Sequence, residues 1–134
     1  MIKFENRFDD YAYRLASVEL DDSVTELHEG QFVTFKGGKI AIATPTSKKA
    51  FIAMGSVRTG RDQVSGRIVK KISILVGPWI LSVDTFDAAK TYDNDMTALT
   101  VNAEGKLTPV TASEQVVAYA IGKPENGFLR IVSA

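Results

Sequence analysis

Short apolar segments separated by turn residues constrain this chain more than any other feature, and the pattern is clearest over residues 99–117. Leu99 and Val101 alternate with polar neighbours, which is the period-two pattern of a half-buried strand. Asn102 and Gly105 follow them, and both favour a turn because asparagine bonds its own backbone and glycine accepts a positive φ. The stretch therefore predicts a β-hairpin.

Similar segments recur from residue 26 to the end of the chain. Gly37 and Gly38 form a two-glycine hairpin turn, and Pro45 ends the strand that follows it. About nine such segments, spaced roughly 8–12 residues apart and with no strand–helix alternation, predict an all-β fold that is a small antiparallel β-barrel or β-sandwich. The predicted strands cover residues 26–35, 40–43, 51–55, 69–76, 79–83, 99–101, 106–108, 116–121 and 128–132.

The first 25 residues fit this pattern least well. They carry Phe4, Phe8, Tyr11 and Tyr13 among acidic and basic side chains, and residues 11–20 match helical and strand periodicities equally. We predict an extended N-terminal arm, residues 1–25, ahead of a single β domain, residues 26–134. The alternative is an edge strand that packs its aromatic side chains onto the domain.

Charge is unevenly distributed along a chain whose net charge is zero. Residues 1–30 carry a net charge of −5, residues 31–82 carry +8 and residues 83–134 carry −3. Such a division suggests complementary surfaces within one protomer or between neighbours, unless folding interleaves the segments. Cysteine is absent, so packing or assembly has to supply the stability that disulfides give other small domains.

A basic, glycine-rich stretch over residues 56–66 predicts a loop or an exposed hairpin tip. Arg58, Arg61 and Arg67 lie in or beside it, and no aromatic residue is interleaved with them as a stacking platform for bases. The stretch is therefore expected to face protein and not nucleic acid. Trp79 is a candidate interface anchor, with burial in the core as the alternative.

No pattern in the chain predicts a catalytic, metal or cofactor site. The single histidine, His28, lacks a nucleophile motif, and the glycines lack the residues that complete a phosphate-binding loop. Asp93 and Asp95 begin half of a calcium-loop pattern, but Ala98 stands where that pattern needs glycine. We expect no enzyme activity and no cofactor, and, without a long apolar run or a signal peptide, no membrane partner.

The C-terminal half resembles the small capsid decoration, or cement, proteins of tailed bacteriophages with HK97-like heads. The resemblance rests on the order of turns and strands in residues 99–101, 104–109, 116–120 and 127–132, with Tyr92 in the long loop before them. Residues 29–33 and 37–41 are similar to the opening hairpin of that family. Ala118 and Tyr119 depart from it, since the family often has glycine there.

The resemblance implies a β domain that binds the outer surface of the virion head, commonly as a homotrimer, and bridges major capsid subunits. The protein would be made in the host cytoplasm. The predicted interface comprises the arm and the basic stretch: Phe4, Phe8, Tyr11, Tyr13, Arg58, Arg61, Arg67 and Trp79. Two alternatives stay open: another virion β domain of a tail tube, baseplate or fibre, and a carbohydrate-binding module that uses Trp79 and Tyr92.

Overall fold

The computed structural model describes residues 2–4, 14–76 and 78–134. Within these residues the fold is all-β, with eleven strands in two antiparallel sheets that pack as a sandwich and do not close into a barrel. The predicted fold class is thereby confirmed. The strands are β1 (Ile2–Phe4), β2 (Arg14–Glu19), β3 (Phe32–Lys36), β4 (Lys39–Ile42), β5 (Phe51–Arg61), β6 (Ile68–Val76), β7 (Ile80–Val83), β8 (Met96–Val101), β9 (Leu107–Pro109), β10 (Ala118–Ile121) and β11 (Leu129–Ser133).

The two sheets divide the chain by sequence, apart from β1. Sheet A has the order β1-β7-β11-β10-β8-β9, and sheet B has the order β2-β6-β5-β3-β4. Every pair of adjacent strands is antiparallel, and four of the nine pairs are consecutive in sequence and form hairpins: β3–β4, β5–β6, β8–β9 and β10–β11. The predicted Gly37–Gly38 turn joins β3 to β4, and both glycines have positive φ.

The main core lies between the two sheets. Sheet A contributes alternate residues of β7, β8, β10 and β11, and sheet B contributes Phe32, Ile52 and Leu75, which align in one row across three strands. All three side chains are almost completely inaccessible to solvent. The Phe32 ring also packs 6.3 Å from the ring of Trp79, centroid to centroid.

A second core lies on the opposite face of sheet B. Sheet B curls far enough that its two edge strands approach each other, and a single bridge joins Leu20 to Ile40. Leu20, Val24 and Leu27 cover the concave face and pack with Ile72 and other residues that point away from sheet A. Sheet B is therefore buried on both faces over much of its length.

The segment predicted as an arm contributes to both sheets where it is described. β1 pairs with β7 at the edge of sheet A, and β2 pairs with β6 at the edge of sheet B. These positions match the alternative of edge strands. Residues 5–13 lie outside the described residues, so the arm stays a prediction there, as does the division of the chain at residue 25.

The turn at Gly105 ties sheet A to sheet B. The Phe32 N–H donates to the Gly105 carbonyl over 3.1 Å, and the Gln31 side-chain amide donates to the Glu104 carbonyl over 2.6 Å. Gly105 has φ +75°, as the sequence predicted for this turn. A Cβ there would lie 3.3 Å from the Phe32 carbonyl oxygen and 3.2 Å from Ile42 Cγ2.

Replacing Gly105 by alanine should therefore destabilise the sandwich more than the same change at Gly127. Both glycines have positive φ, but a Cβ at Gly127 would meet nothing within 4 Å. The strain of positive φ is common to both, about 1 kcal/mol, and crowding against backbone should add about 1–2 kcal/mol at Gly105 alone. Urea unfolding of the two variants measures the difference, and equal losses would contradict it.

Two leucines near the N-terminus give a matched test of how the first 25 residues pack. Leu20 is 6 % exposed and Leu15 is 57 % exposed. Leu20→Ala should lower the free energy of unfolding by about 3 kcal/mol, because it leaves a cavity in the second core, whereas Leu15→Ala should cost under about 1 kcal/mol. Two small losses in chemical denaturation would indicate a segment that lies outside the core.

Candidate functional site

The β5–β6 hairpin extends past the paired part of β3 and ends in exposed residues. β5 pairs with β3 only through Phe51 and Ile52, and from Thr59 to Arg61 its partner is β6. The end of the hairpin is exposed, in contrast to the buried middle of sheet B. The basic stretch predicted as a loop or hairpin tip is thus a hairpin.

A bulge separates the buried part of β5 from its exposed part. The register between β5 and β6 shifts between Met54 and Arg58, and Gly55 within this shift has φ +73°. The Gly55 N–H donates to the Glu29 carboxylate over 2.7 Å, which anchors the bulge to the segment before β3. Bulges commonly redirect side chains at the ends of paired strands.

Beyond the bulge, the face of sheet B that elsewhere packs on sheet A becomes polar and basic. Arg58 lies over Ser17 and Ser73, and its Nη2 donates to their hydroxyl oxygens over 3.0 and 3.2 Å. Lys71 pairs with both Arg58 and Glu19 in the strand register, so these residues share one face. They line a groove of about 590 Å³ that also contains Arg61 and Arg67.

One carboxylate inside the groove offsets part of this positive charge. Arg67 Nη1 lies 2.9 Å from Glu19 Oε1, and Lys39 Nζ lies 4.0 Å from the same oxygen. Arg61 donates to the Gly66 carbonyl over 2.8 Å and forms no ion pair with another described residue. Partly exposed pairs of this kind contribute only about 0–1 kcal/mol, so the groove is better understood as a recognition surface than as a stabilising element.

The tip of the hairpin combines an ordered turn with exposed apolar side chains. Asp62 accepts hydrogen bonds from the Val64 N–H and the Ser65 hydroxyl, and these bonds, with the nearby charges of Arg67 and Lys71, lower the pKa of its carboxyl. Val64 is 96 % exposed and Ile68 is 64 % exposed. The turn therefore exposes the apolar side chain of Val64 at the end of the basic groove, whereas Ile68 is exposed on the face of β6 opposite to Lys71.

The predicted interface residues fall into three groups in the structure. Arg58, Arg61 and Arg67 come together in the groove. The backbone of Phe4 lies in β1, in the other sheet, while Phe8, Tyr11 and Tyr13 lie outside the described residues. Ser17 and Glu19 line the groove, and Ser73 bonds to Arg58 beside it. The sequence analysis missed all three, since only the register of β2 and β6 brings them to Arg58.

Trp79 occupies the core position that the sequence analysis held as its alternative. It is 8 % exposed and packs on Phe32, so it offers little surface to a partner. One side of it lines a cleft of about 460 Å³ at the end of the sandwich, together with Lys49 and Phe51. Its role at an interface stays a prediction.

The acidic loop between β7 and β8 is folded onto sheet A by two aromatic rings. Tyr92 is 2 % exposed, packs edge-on against Phe86 at 6.0 Å and donates its hydroxyl to the Asp87 carbonyl over 2.8 Å. Burial, and secondarily the charge of Asp87, raise the pKa of Tyr92 to about 12. Among the described residues, no three acidic or histidine side chains converge as metal ligands would.

His28 lies on the surface beside a glutamate. Its Nε2 is 2.8 Å from Glu26 Oε1, and both side chains are well exposed. The imidazole for which the sequence offered no nucleophile motif is thus an exposed group of the loop before β3. No helix that could span a membrane occurs in the part of the chain that the structure describes.

The sequence matches no protein-family model, and comparison with curated proteins and with solved structures gives no match. The described surfaces offer charge, hydrogen-bond donors and apolar area, which are the components of a protein–protein contact.

Tyr92 gives this region a measurable pH dependence. Because the folded state raises its pKa from 10.0 to about 12, the neutral phenol's contribution to stability is complete below pH 10 and is lost as the pH rises towards 12. Tyr92→Phe should abolish this part of the alkaline destabilisation, measured as the urea midpoint at pH 9 to 12. Tyr119→Phe is the control, and an unchanged alkaline slope in Tyr92→Phe would contradict the assignment.

Proposed function

We propose that this chain is a non-enzymatic capsid decoration protein, which binds the outside of an assembled phage head, bridges major capsid subunits and stabilises the shell. The observation that supports the proposal is the position of the family-like segments in the fold. The segments similar to the decoration family in residues 99–132 fall on β8 to β11, which occupy four adjacent positions in sheet A in the order β11-β10-β8-β9, and the similar opening segments fall on the β3–β4 hairpin of sheet B. The resemblance therefore follows a folded unit and not scattered turns.

The surfaces of the described chain suit such a role. The hairpin presents guanidinium groups, an ammonium group and the apolar side chains of Val64 and Ile68. Binding through area and charge requires these features and needs no group with a tuned pKa in an enclosed cleft. A carbohydrate-binding module would need aromatic rings on its surface, and the two rings suggested for it, Trp79 and Tyr92, are buried.

The mechanism we propose is a clamp that recognises the finished shell. A ligand that binds only the expanded lattice stabilises that state by mass action, since unbinding must accompany its disruption. Several protomers that act together, as in a homotrimer at a threefold position, gain further retention because each contact raises the effective concentration of the next. The major capsid protein is the partner in this scheme, and the outer surface of the virion is the location.

Purified protein incubated with expanded, undecorated heads of the same phage tests the proposal. We expect added density at threefold positions in electron cryomicroscopy and a higher temperature of head disruption in calorimetry. Unexpanded heads are the matched control, and they should gain no density because the lattice spacing differs. Absence of binding to expanded heads, with binding to tail components or glycans instead, would refute it.

A further inference from the structure

We propose that the β5–β6 hairpin docks onto a second copy of this chain, against the acidic turn Asp93–Met96 that begins β8. The inference deepens the proposed function by naming the hairpin's partner, and it rests on that function only for the place where the assembly is used. It would form a head-to-tail contact between the basic hairpin of one protomer and sheet A of the next.

The net charge of the hairpin favours a second copy of this chain as its partner. Residues 56–71 contain five basic side chains and one acidic side chain, a net charge of +4, so the rest of this neutral chain carries −4. Within the described residues, Arg58 bonds to serine hydroxyls and to no carboxylate, which leaves its charge without a counter-ion. A second copy is therefore a partner of the required sign, and it is present at the same concentration.

The groove and the hairpin tip favour an acidic protein surface over a nucleic acid as the partner. Glu19 and Asp62 lie in the groove, where they would repel phosphate groups. The groove has no aromatic ring on which bases could stack. Val64, at the tip of the same hairpin, is an exposed apolar side chain that a protein surface can cover.

The acidic turn on sheet A complements the hairpin in charge and in apolar surface. Asp93 and Asp95 are exposed, and Met96, which follows them, is 54 % exposed. An acidic pair beside an adaptable apolar side chain complements a basic groove beside an apolar tip. Both patches thus supply the opposite charge and a hydrophobic contact.

The acidic turn is also held in place before any partner arrives. The Asp93 N–H donates to Thr97 Oγ1 over 2.9 Å, and the Gly122 N–H donates to the Asp95 carbonyl over 2.9 Å. Tyr92, directly before the turn, is buried. Because the turn and the hairpin tip are both ordered by internal hydrogen bonds, little conformational entropy is lost when they meet.

In the head-to-tail arrangement that we propose, one contact leaves a hairpin free on one copy and an acidic turn free on the other, so the interface is heterologous. A heterologous contact closes into a ring when the rotation between copies allows it, and a ring of three would match a threefold position on a shell. Each protomer in such a ring would contribute one hairpin and one acidic turn.

Charge reversal and charge exchange test the pairing. The variants are Arg58→Glu with Arg61→Glu, Asp93→Lys with Asp95→Lys, and all four changes in one chain. The wild-type chain should associate, with a dissociation constant that rises about tenfold or more between about 50 and 500 mM NaCl. Each double reversal should weaken association about 100-fold, and the fourfold variant should restore it, measured by sedimentation velocity and light scattering.

Two further variants serve as controls, one for nonspecific effects of charge and one for destabilisation of the hairpin. Lys48→Glu with Lys106→Glu alters two exposed lysines outside both patches and should leave association unchanged. Val64→Asp changes a side chain that is 96 % exposed, so it should weaken association without lowering the unfolding temperature. This variant keeps the test valid even if loss of the Arg58 hydrogen bonds destabilises the hairpin.

The outcomes for assembly and for head binding are distinguishable. A monomeric wild-type chain at every salt concentration, association unaffected by Val64→Asp, or a fourfold variant as weak as the double reversals would each overturn the hairpin pairing. Binding of the hairpin to heparin or DNA in place of self-association would also overturn it. Normal self-association without binding to expanded heads would refute the decoration function and leave the pairing intact.

Discussion

Packing of sheet A on the row of Phe32, Ile52 and Leu75 is the interaction on which the rest of the structure depends. These side chains come from three neighbouring strands of sheet B and are almost fully removed from water. Phe32 also fixes the relative position of the sheets, since its N–H bonds to Gly105 in sheet A and its carbonyl accepts from Ala43. A change here would affect both sheets because interiors are close-packed.

The face of sheet B that contacts sheet A is apolar over one part of its length and basic over the other. Where sheet A covers it, the face is apolar, and beyond the bulge at Gly55 it carries Arg58 and Lys71. The concave face stays apolar further along, because Leu20, Val24 and Leu27 cover it. Burial of sheet B on both faces gives the projecting hairpin a rigid base, and a rigid base reduces the entropy lost when a surface is used for recognition.

The proposed role follows from the kind of surface that this architecture exposes. The guanidinium groups of Arg58 and Arg61 bond to serine hydroxyls and to a main-chain carbonyl, which orient these groups without neutralising them, whereas Arg67 pairs with Glu19. Oriented, partly uncompensated charge beside apolar side chains provides specificity through complementarity. On a repetitive shell, such contacts act together, so modest individual affinities give lasting attachment.

The sequence alone determined the fold class, most of the strands after residue 26 and the turns, because alternation of apolar residues and positive-φ glycines are local properties. Gly37, Gly38 and Gly105 all lie at turns with positive φ. The local pattern also identified the basic stretch, since its composition is read directly from consecutive residues.

Only the tertiary structure decided which of the first 25 residues enter the sheets and which residues lie beside the arginines of the groove. Residues 11–20 have no distinguishing period, and β2 becomes a strand because β6 offers it a partner and the concave face buries Leu20. Ser17 and Ser73 are 56 positions apart and meet at Arg58 through strand register. Register depends on long-range pairing and burial, which no local pattern encodes.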